Sequence, residues 1–115
     1  MDTREKIVDA GQAARIAASG ALVVSGYFDP LLASHAERLA KLKTGGSPLL
    51  VLIATPENAI LPAGARAELV AGLRAVDYVS ELTASLTPQI HLEQEDEERF
   101  QALLQHVHAR QKAAS

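Results

Sequence analysis

Between Gly26 and His35 the chain reads GYFDPLLASH, a glycine, two aromatic rings, an aspartate, a proline and a histidine in one short stretch. A glycine directly after an apolar run lets a phosphate come close to the backbone, because no Cβ stands in the way. A helix opening just beyond it offers free N–H groups and the positive end of its dipole to the same anion. His35 then falls in the first helical turn, where it either contacts a phosphate or sits exposed without a ligand. Asp29 and Phe28 admit a loop-holding role as well: the carboxylate caps the following backbone, and the ring packs under the edge of a sheet.

Two further groups invite a chemical reading. The acidic run EQEDEE, Glu93–Glu98, has the composition of a cation site. Such a run more commonly opens a helix, where each charge contributes about 0.3–1 kcal/mol through the dipole, so no metal site is expected. It also repels phosphates. His106 and His108 are two apart and project to different helix faces, which reads as surface histidines rather than a shared metal site. The chain has no cysteine, which excludes disulfides, zinc thiolate centres and thiol catalysis.

The elements that must position the GYFDPLLASH segment follow from apolar patterning. Asp9 with Gln12 three residues on has the form of a helix N-cap and its N3 partner. The Ala-rich stretch behind them runs to Ser19, with Gly20 as a C′ residue. Ala21–Ser25 and Leu49–Ala54 are short apolar runs with β-branched residues, the signature of strands buried on both faces. Ser34 to about Lys43 is a helix, ended by Thr44-Gly45-Gly46. Thr55–Pro62 is a loop. Ala63–Ala75 reads as a helix presenting Leu69, Leu73 and Val76. Tyr78-Val79 is a third strand and Ile90-His91-Leu92 a fourth. Phe100, Leu103, Leu104 and Val107 recur at amphipathic spacing, and Gln111–Ser115 reads as a frayed tail. Strand and helix alternate throughout, which implies right-handed βαβ units and a parallel sheet covered on both faces. In such sheets ligands sit beyond the carboxyl ends of the strands, where the loop after the first strand lies.

Composition narrows the function classes. A chain of 115 residues fits a single domain spanning 1–115. Apolar residues make up 48% and aromatics only 3%, so the core is built of Leu, Val, Ile and Ala. The net charge is −3 with no basic stripe, which argues against nucleic-acid binding. The longest apolar run is too short to span a bilayer. The charged N-terminus lacks the apolar region of a signal peptide, so a cytoplasmic location is expected.

With these residues in view, the segment resembles the signature of cytidylyltransferase-like nucleotidyltransferases, strand followed by G-x-F-D-x-x-H-x-G-H and a helix. Glycerol-3-phosphate cytidylyltransferases and heptose-phosphate nucleotidyltransferases carry it. Gly26, Phe28, Asp29 and His35 match in register. Arg66–Val79, RAELVAGLRAVDYV, is similar to that family's helix-plus-strand segment, and KIVDAGQAARIAASGALVV resembles its opening helix and first strand. The likeness runs from about Lys6 to Leu92. It implies a Rossmann-like, three-layer α/β/α domain of the HUP-type nucleotide-binding fold. It also implies a nucleotide site formed by Gly26, Tyr27, Phe28, Asp29, Ser34, His35 and Arg66, with His35 in the catalytic role; Tyr27, as an aromatic ring in the same loop, is a candidate to stack on a base. Arg66 then reaches a phosphate; read on its own, it is equally an exposed helix arginine paired with Glu68 or with solvent.

The departures from that pattern bear on activity. Family members attack the α-phosphorus of a nucleoside triphosphate directly with a substrate phosphate, so catalysis is positioning and charge stabilisation. Leu32 stands where the first motif histidine belongs and can donate no hydrogen bond. Loss of one such donor costs about 10²–10³ in rate. Ser34 replaces the motif glycine, the loop Thr55–Gly64 shows no Lys- and Gly-containing phosphate stretch, and Glu93-Gln94-Glu95-Asp96 replaces a basic K-G-G-D element. The C-terminal Ser/Thr-rich triphosphate motif is missing. The expectation is a nucleotide-binding domain with impaired or absent catalysis. The alternative is an active enzyme, using Mg²⁺, that transfers a nucleotidyl group from CTP or ATP to a small phosphorylated alcohol or sugar. A receiver-like or flavodoxin-like domain fits the alternation but not the GYFDPLLASH register. A homodimer is expected from small size, Ala-rich helices and family habit.

Overall fold

A computed structural model describes residues 2–43 and 45–94 of the chain. The amphipathic pattern of Phe100–Val107, both distal histidines, the tail, and Glu95–Glu98 of the acidic run lie outside the described residues. Within them a short 3₁₀ turn at Thr3–Lys6 leads into α1 (Ala10–Ala18). The Asp9 carboxylate accepts from the Gln12 N–H at 2.8 Å, and Gln12 Oε1 accepts from the Asp9 N–H at 3.2 Å. This capping box fixes the start of α1 where the spacing of the two residues predicts it. Gly20, at φ 104°, ends the helix in the left-handed region that glycine enters without strain.

Next come β1 (Leu22–Gly26), α2 (Ala33–Leu42), β2 (Leu49–Ile53), α3 (Ala63–Ala71), β3 (Tyr78–Glu81) and β4 (Ile90–His91). The strands form one parallel sheet in the order β3-β2-β1-β4. This is the Rossmann-like α/β arrangement that the alternation predicts. Leu22 pairs with Leu49 and Gly26 with Ile53. The chain moves outward from β1 to β3 and then returns to the opposite side of β1, so the order reverses beside β1.

Alternating strand residues fill two cores. Val24, Leu49, Val51, Ile53 and Val79 pack with Leu39 of α2 and with Ala67, Val70 and Ala71 of α3. Val23, Leu50 and Leu52 pack on the other face with Ala13 of α1. β2 is buried along its whole length, as a central parallel strand must be. Two layers of helix therefore sandwich the sheet.

α3 departs from the sequence reading. It ends at Ala71, with Gly72 as its cap, not at Ala75. Leu69 is 49% exposed while Val70 is fully buried. The three small or β-branched residues Ala67, Val70 and Ala71 sit closer to the sheet than a leucine face would allow. Leu73 and Val76 still meet the core, but from the turn after the helix.

Two edge contacts are invisible in the periodicity. Ile7 forms an isolated parallel bridge with Val79, and the Val8 N–H donates to the Val79 carbonyl at 2.8 Å, so the chain start covers the β3 edge. At the amino end of the sheet, Asp77 Oδ2 accepts from the Leu49 N–H at 2.7 Å and from Lys43 Nζ. The aspartate of the V-D-Y-V segment thus ties β2 and α2 to β3. Among the described residues no helix is long and apolar enough to cross a membrane.

Candidate functional site

The loop after β1 and the first turn of α2 enclose a pocket of about 370 Å³ at the carboxyl edge of the sheet. Its walls are Tyr27, Phe28, Asp29, Pro30, Leu32, Ser34, His35 and Pro56. Five of the seven residues expected at the site, Tyr27, Phe28, Asp29, Ser34 and His35, line it, and Gly26 and Arg66 do not.

Each of these side chains is placed by a definite local cause. The Phe28 ring lies across Gly26, and a Cβ built on Gly26 would meet Phe28 Cζ at 2.6 Å. The glycine is therefore required by the neighbouring ring. The space that seemed open to a phosphate in the sequence is filled by Phe28. Phe28 itself adopts φ 50°, a conformation that costs a bulky residue about 1–3 kcal/mol. Burial of its ring, 1% exposed, offsets that strain. The ring also meets His35 edge-on, with centroids 5.3 Å apart and planes at 79°.

His35 is buried at 6% exposure, which rules out the exposed, unengaged histidine. Its Nδ1 accepts from the Leu32 N–H at 3.0 Å. An accepting Nδ1 assigns the proton of the neutral ring to Nε2. The bond is the returning half of a capping box, with the imidazole taking the place of the Glu or Gln. Leu32, at the cap position itself, has no side-chain bond to give and is 52% exposed at the pocket. Ser34 is exposed in the first turn. The N–H groups of Ala33 and Ser34 are among those that helix geometry leaves without an intrahelical acceptor.

Asp29 holds a loop, though not the following one. Its Oδ2 accepts from the Ile60 N–H at 2.6 Å and its Oδ1 from the Leu61 N–H at 2.7 Å, both just ahead of α3. These N–H donors, the Ile60 bond foremost, hold the Asp29 carboxyl below its ordinary range.

Arg66 is neither exposed nor paired with Glu68 through a hydrogen bond. It is 1% exposed. Nη1 donates to the carbonyl oxygens of Tyr27 at 2.9 Å and Ala54 at 2.7 Å, Nε to that of Leu61 at 3.0 Å, and Nη2 to Thr55 Oγ1 at 3.2 Å. The guanidinium fastens the loops after β1 and β2 to the start of α3. A helix-periodicity reading misses this, because the acceptors lie on the loops around the helix, up to 39 residues away at Tyr27.

A polar cluster at the order reversal also escapes the sequence. Ser25, fully buried near the carboxyl end of β1, has Oγ 2.7 and 2.8 Å from the two Glu93 oxygens and 3.2 Å from His91 Nδ1. His91 Nδ1 lies 3.3 Å from Glu93 Oε1. The triangle differs from a nucleophile relay, in which the acid touches the far nitrogen of the imidazole. Here the carboxylate binds the hydroxyl directly, so the cluster fastens β4 to β1. A serine inside an otherwise apolar parallel strand was the available signal. Among the described residues no group of His, Cys, Asp and Glu is arranged to hold a metal ion.

No protein-family model matches the chain, and no curated protein sequence matches it.

Proposed function

We propose that the chain binds a nucleotide or another small phosphorylated ligand in the pocket after β1 and transfers nucleotidyl groups very slowly or not at all. The observation that carries this reading is the pocket itself. It joins a helix N-terminus, a half-buried tyrosine ring and a buried histidine at the sheet edge where α/β folds bind ligands. Its volume falls in the range of small-molecule sites. The N–H groups that open α2 supply the phosphate contact, and Tyr27 supplies a ring for the base. Resemblance of GYFDPLLASH to the nucleotidyltransferase signature supports the same ligand class.

Impaired transfer rests on what lines the pocket. Leu32 presents an apolar side chain where a donor to the transferring phosphoryl group is needed. Asp29 and Arg66 are committed to backbone groups, and no lysine or arginine lines the cavity. Charge on the equatorial oxygens of a phosphoryl transition state thus goes largely unmet. Ground-state binding depends more on the helix N-terminus and the ring.

Thermal unfolding with each of the four common nucleoside triphosphates, with and without Mg²⁺, tests binding. A ligand at about 100 times its Kd stabilises the fold by about 2.7 kcal/mol. No shift with any nucleotide or with inorganic phosphate removes the proposal. A pyrophosphate-release assay with glycerol 3-phosphate tests transfer, and rapid turnover by the unaltered chain contradicts impairment. Leu32→His with Ser34→Gly is expected to raise any residual rate.

A further inference from the structure

Charge and donor content limit how many phosphates the pocket after β1 can hold. Its lining contains one carboxylate, Asp29, and no lysine or arginine. The Ile60 N–H foremost, then the Leu61 N–H and Arg66 through space, favour the ionised form of that carboxylate. Arg66 sets one positive charge against this negative one, and its guanidinium is bonded to carbonyls. Arg38 and Lys41 lie beyond the first turn of α2 and line no part of the cavity. His35 adds no charge while its Nδ1 accepts from the Leu32 N–H. The positive field left for an anion is the N-terminus of α2, a helix of 10 residues, equivalent to about half an elementary charge.

Donors are as few. Pro30 and Pro56 have no N–H, and that of Leu32 is given to His35. The His35 and Ala36 N–H groups donate to the Leu32 carbonyl at 3.1 and 3.2 Å. The N–H groups of Ala33 and Ser34 remain, with the Ser34 hydroxyl beside them, a set that suits the oxygens of one phosphate group. Elsewhere on the wall, Pro30, Leu32 and Pro56 have side chains without a polar hydrogen, and Leu32 is 52% exposed. A second or third phosphate there gives up water and meets hydrocarbon in place of donors. The volume of about 370 Å³ is also near the small end of ligand sites, about 300–1,000 Å³.

We propose that this pocket selects a ligand with a single phosphate, a nucleoside monophosphate, over the corresponding di- and triphosphates. The inference rests on the phosphate-binding reading above and adds the number of phosphates to it. The phosphate sits on the opening turn of α2, and the sugar and base lie against Pro30, Pro56 and the Tyr27 ring. Selectivity of this sign is the reverse of what a transferase that uses nucleoside triphosphates needs.

The test is a titration of the full chain with adenosine, AMP, ADP and ATP, and with the matching cytidine set, without Mg²⁺, which would neutralise the extra phosphates. Backbone amide NMR gives both the site and the affinity. Saturable shifts at Ala33, Ser34 and His35 are expected. Each monophosphate is expected to bind at least about fivefold more tightly than its triphosphate, the factor carried by one charge contact about 4 Å long in water. The nucleosides are expected to bind more weakly than the monophosphates. Leu32→Lys places a cation at the wall and is expected to raise triphosphate affinity more than monophosphate affinity. Leu32 is half exposed, so the variant keeps the fold, and an unchanged spectrum away from the pocket verifies this. Triphosphates bound as tightly as monophosphates overturn the inference and leave the phosphate-binding reading standing. So does a preference that Leu32→Lys leaves unchanged. Nucleosides bound as tightly as their monophosphates, or no saturable shifts with any of these ligands, overturn both.

Discussion

The ring of Phe28 occupies the space that a side chain at Gly26 would need, with Cζ 2.6 Å from the position of a Cβ. Gly26→Ala therefore forces the ring, and the strained backbone beneath it, to move. Overpacking of this kind costs about 1–3 kcal/mol. Denaturant unfolding of the variant checks the loss. In a Phe28→Leu background the same alanine is expected to cost less, because the two residues share one space and their effects are not additive. Equal cost in both backgrounds would show that the ring is not the obstacle.

Arg66 is expected to behave as a structural residue. Arg66→Met removes the guanidinium bonds to the carbonyls of Tyr27, Ala54 and Leu61, at a cost of about 2–4 kcal/mol. Arg66→Lys recovers only part of this, since one ammonium group cannot span the acceptors a planar fork reaches. Urea midpoints measure both. A methionine variant within about 0.5 kcal/mol of the parent, the range of ordinary surface changes, would contradict the buried network.

Acid stability is expected to depend on Asp77. Burial opposes its ionisation, but the bond from Lys43 and the Leu49 N–H outweigh it and hold the carboxyl below the ordinary range. A depressed carboxyl stabilises the fold fully above the unfolded value of about 3.9. The contribution is lost as pH falls below that value and through the folded one. Stability curves from pH 6 down to about pH 2 are expected to flatten in Asp77→Asn. Asp29 is depressed in the same direction by the Ile60 and Leu61 N–H groups, so Asp29→Asn flattens the same limb. A curve of undiminished slope in both variants would exclude these carboxylates as the source.

Two adjacent residues of α3 separate the observed packing from the periodicity. Val70 is fully buried and Leu69 is 49% exposed. Val70→Ala is expected to cost about 1.5–3 kcal/mol, the transfer of a buried side chain plus part of its cavity. Leu69→Ala is expected to cost less despite removing more atoms. Thermal or urea unfolding of the pair gives the order, and the reverse order would restore the leucine face that the sequence suggests.

Where the determinants are local, the sequence is enough. The Asp9–Gln12 box, the left-handed stop at Gly20 and the apolar runs of β1 and β2 each rest on neighbours within a few residues. The pocket also lies in the predicted loop, because the loop after the first parallel strand must emerge at the carboxyl edge. α3 was less legible: small residues allow close helix–sheet approach, and that distance is not written in a spacing pattern.

The sequence by itself determined a parallel α/β chain and which loop would emerge at the carboxyl edge beside β1, since strand burial and helix caps follow from short-range chemistry. Only the tertiary structure decided what the charged residues do. Asp29 meets Ile60 and Leu61, Arg66 meets Tyr27 and Ala54, and Ser25 meets Glu93 across gaps of 12 to 68 residues. A carboxylate, guanidinium or hydroxyl bonds whatever donor or acceptor the fold brings within about 3 Å. Which group that is depends on how strands and loops converge, and side-chain type does not encode it.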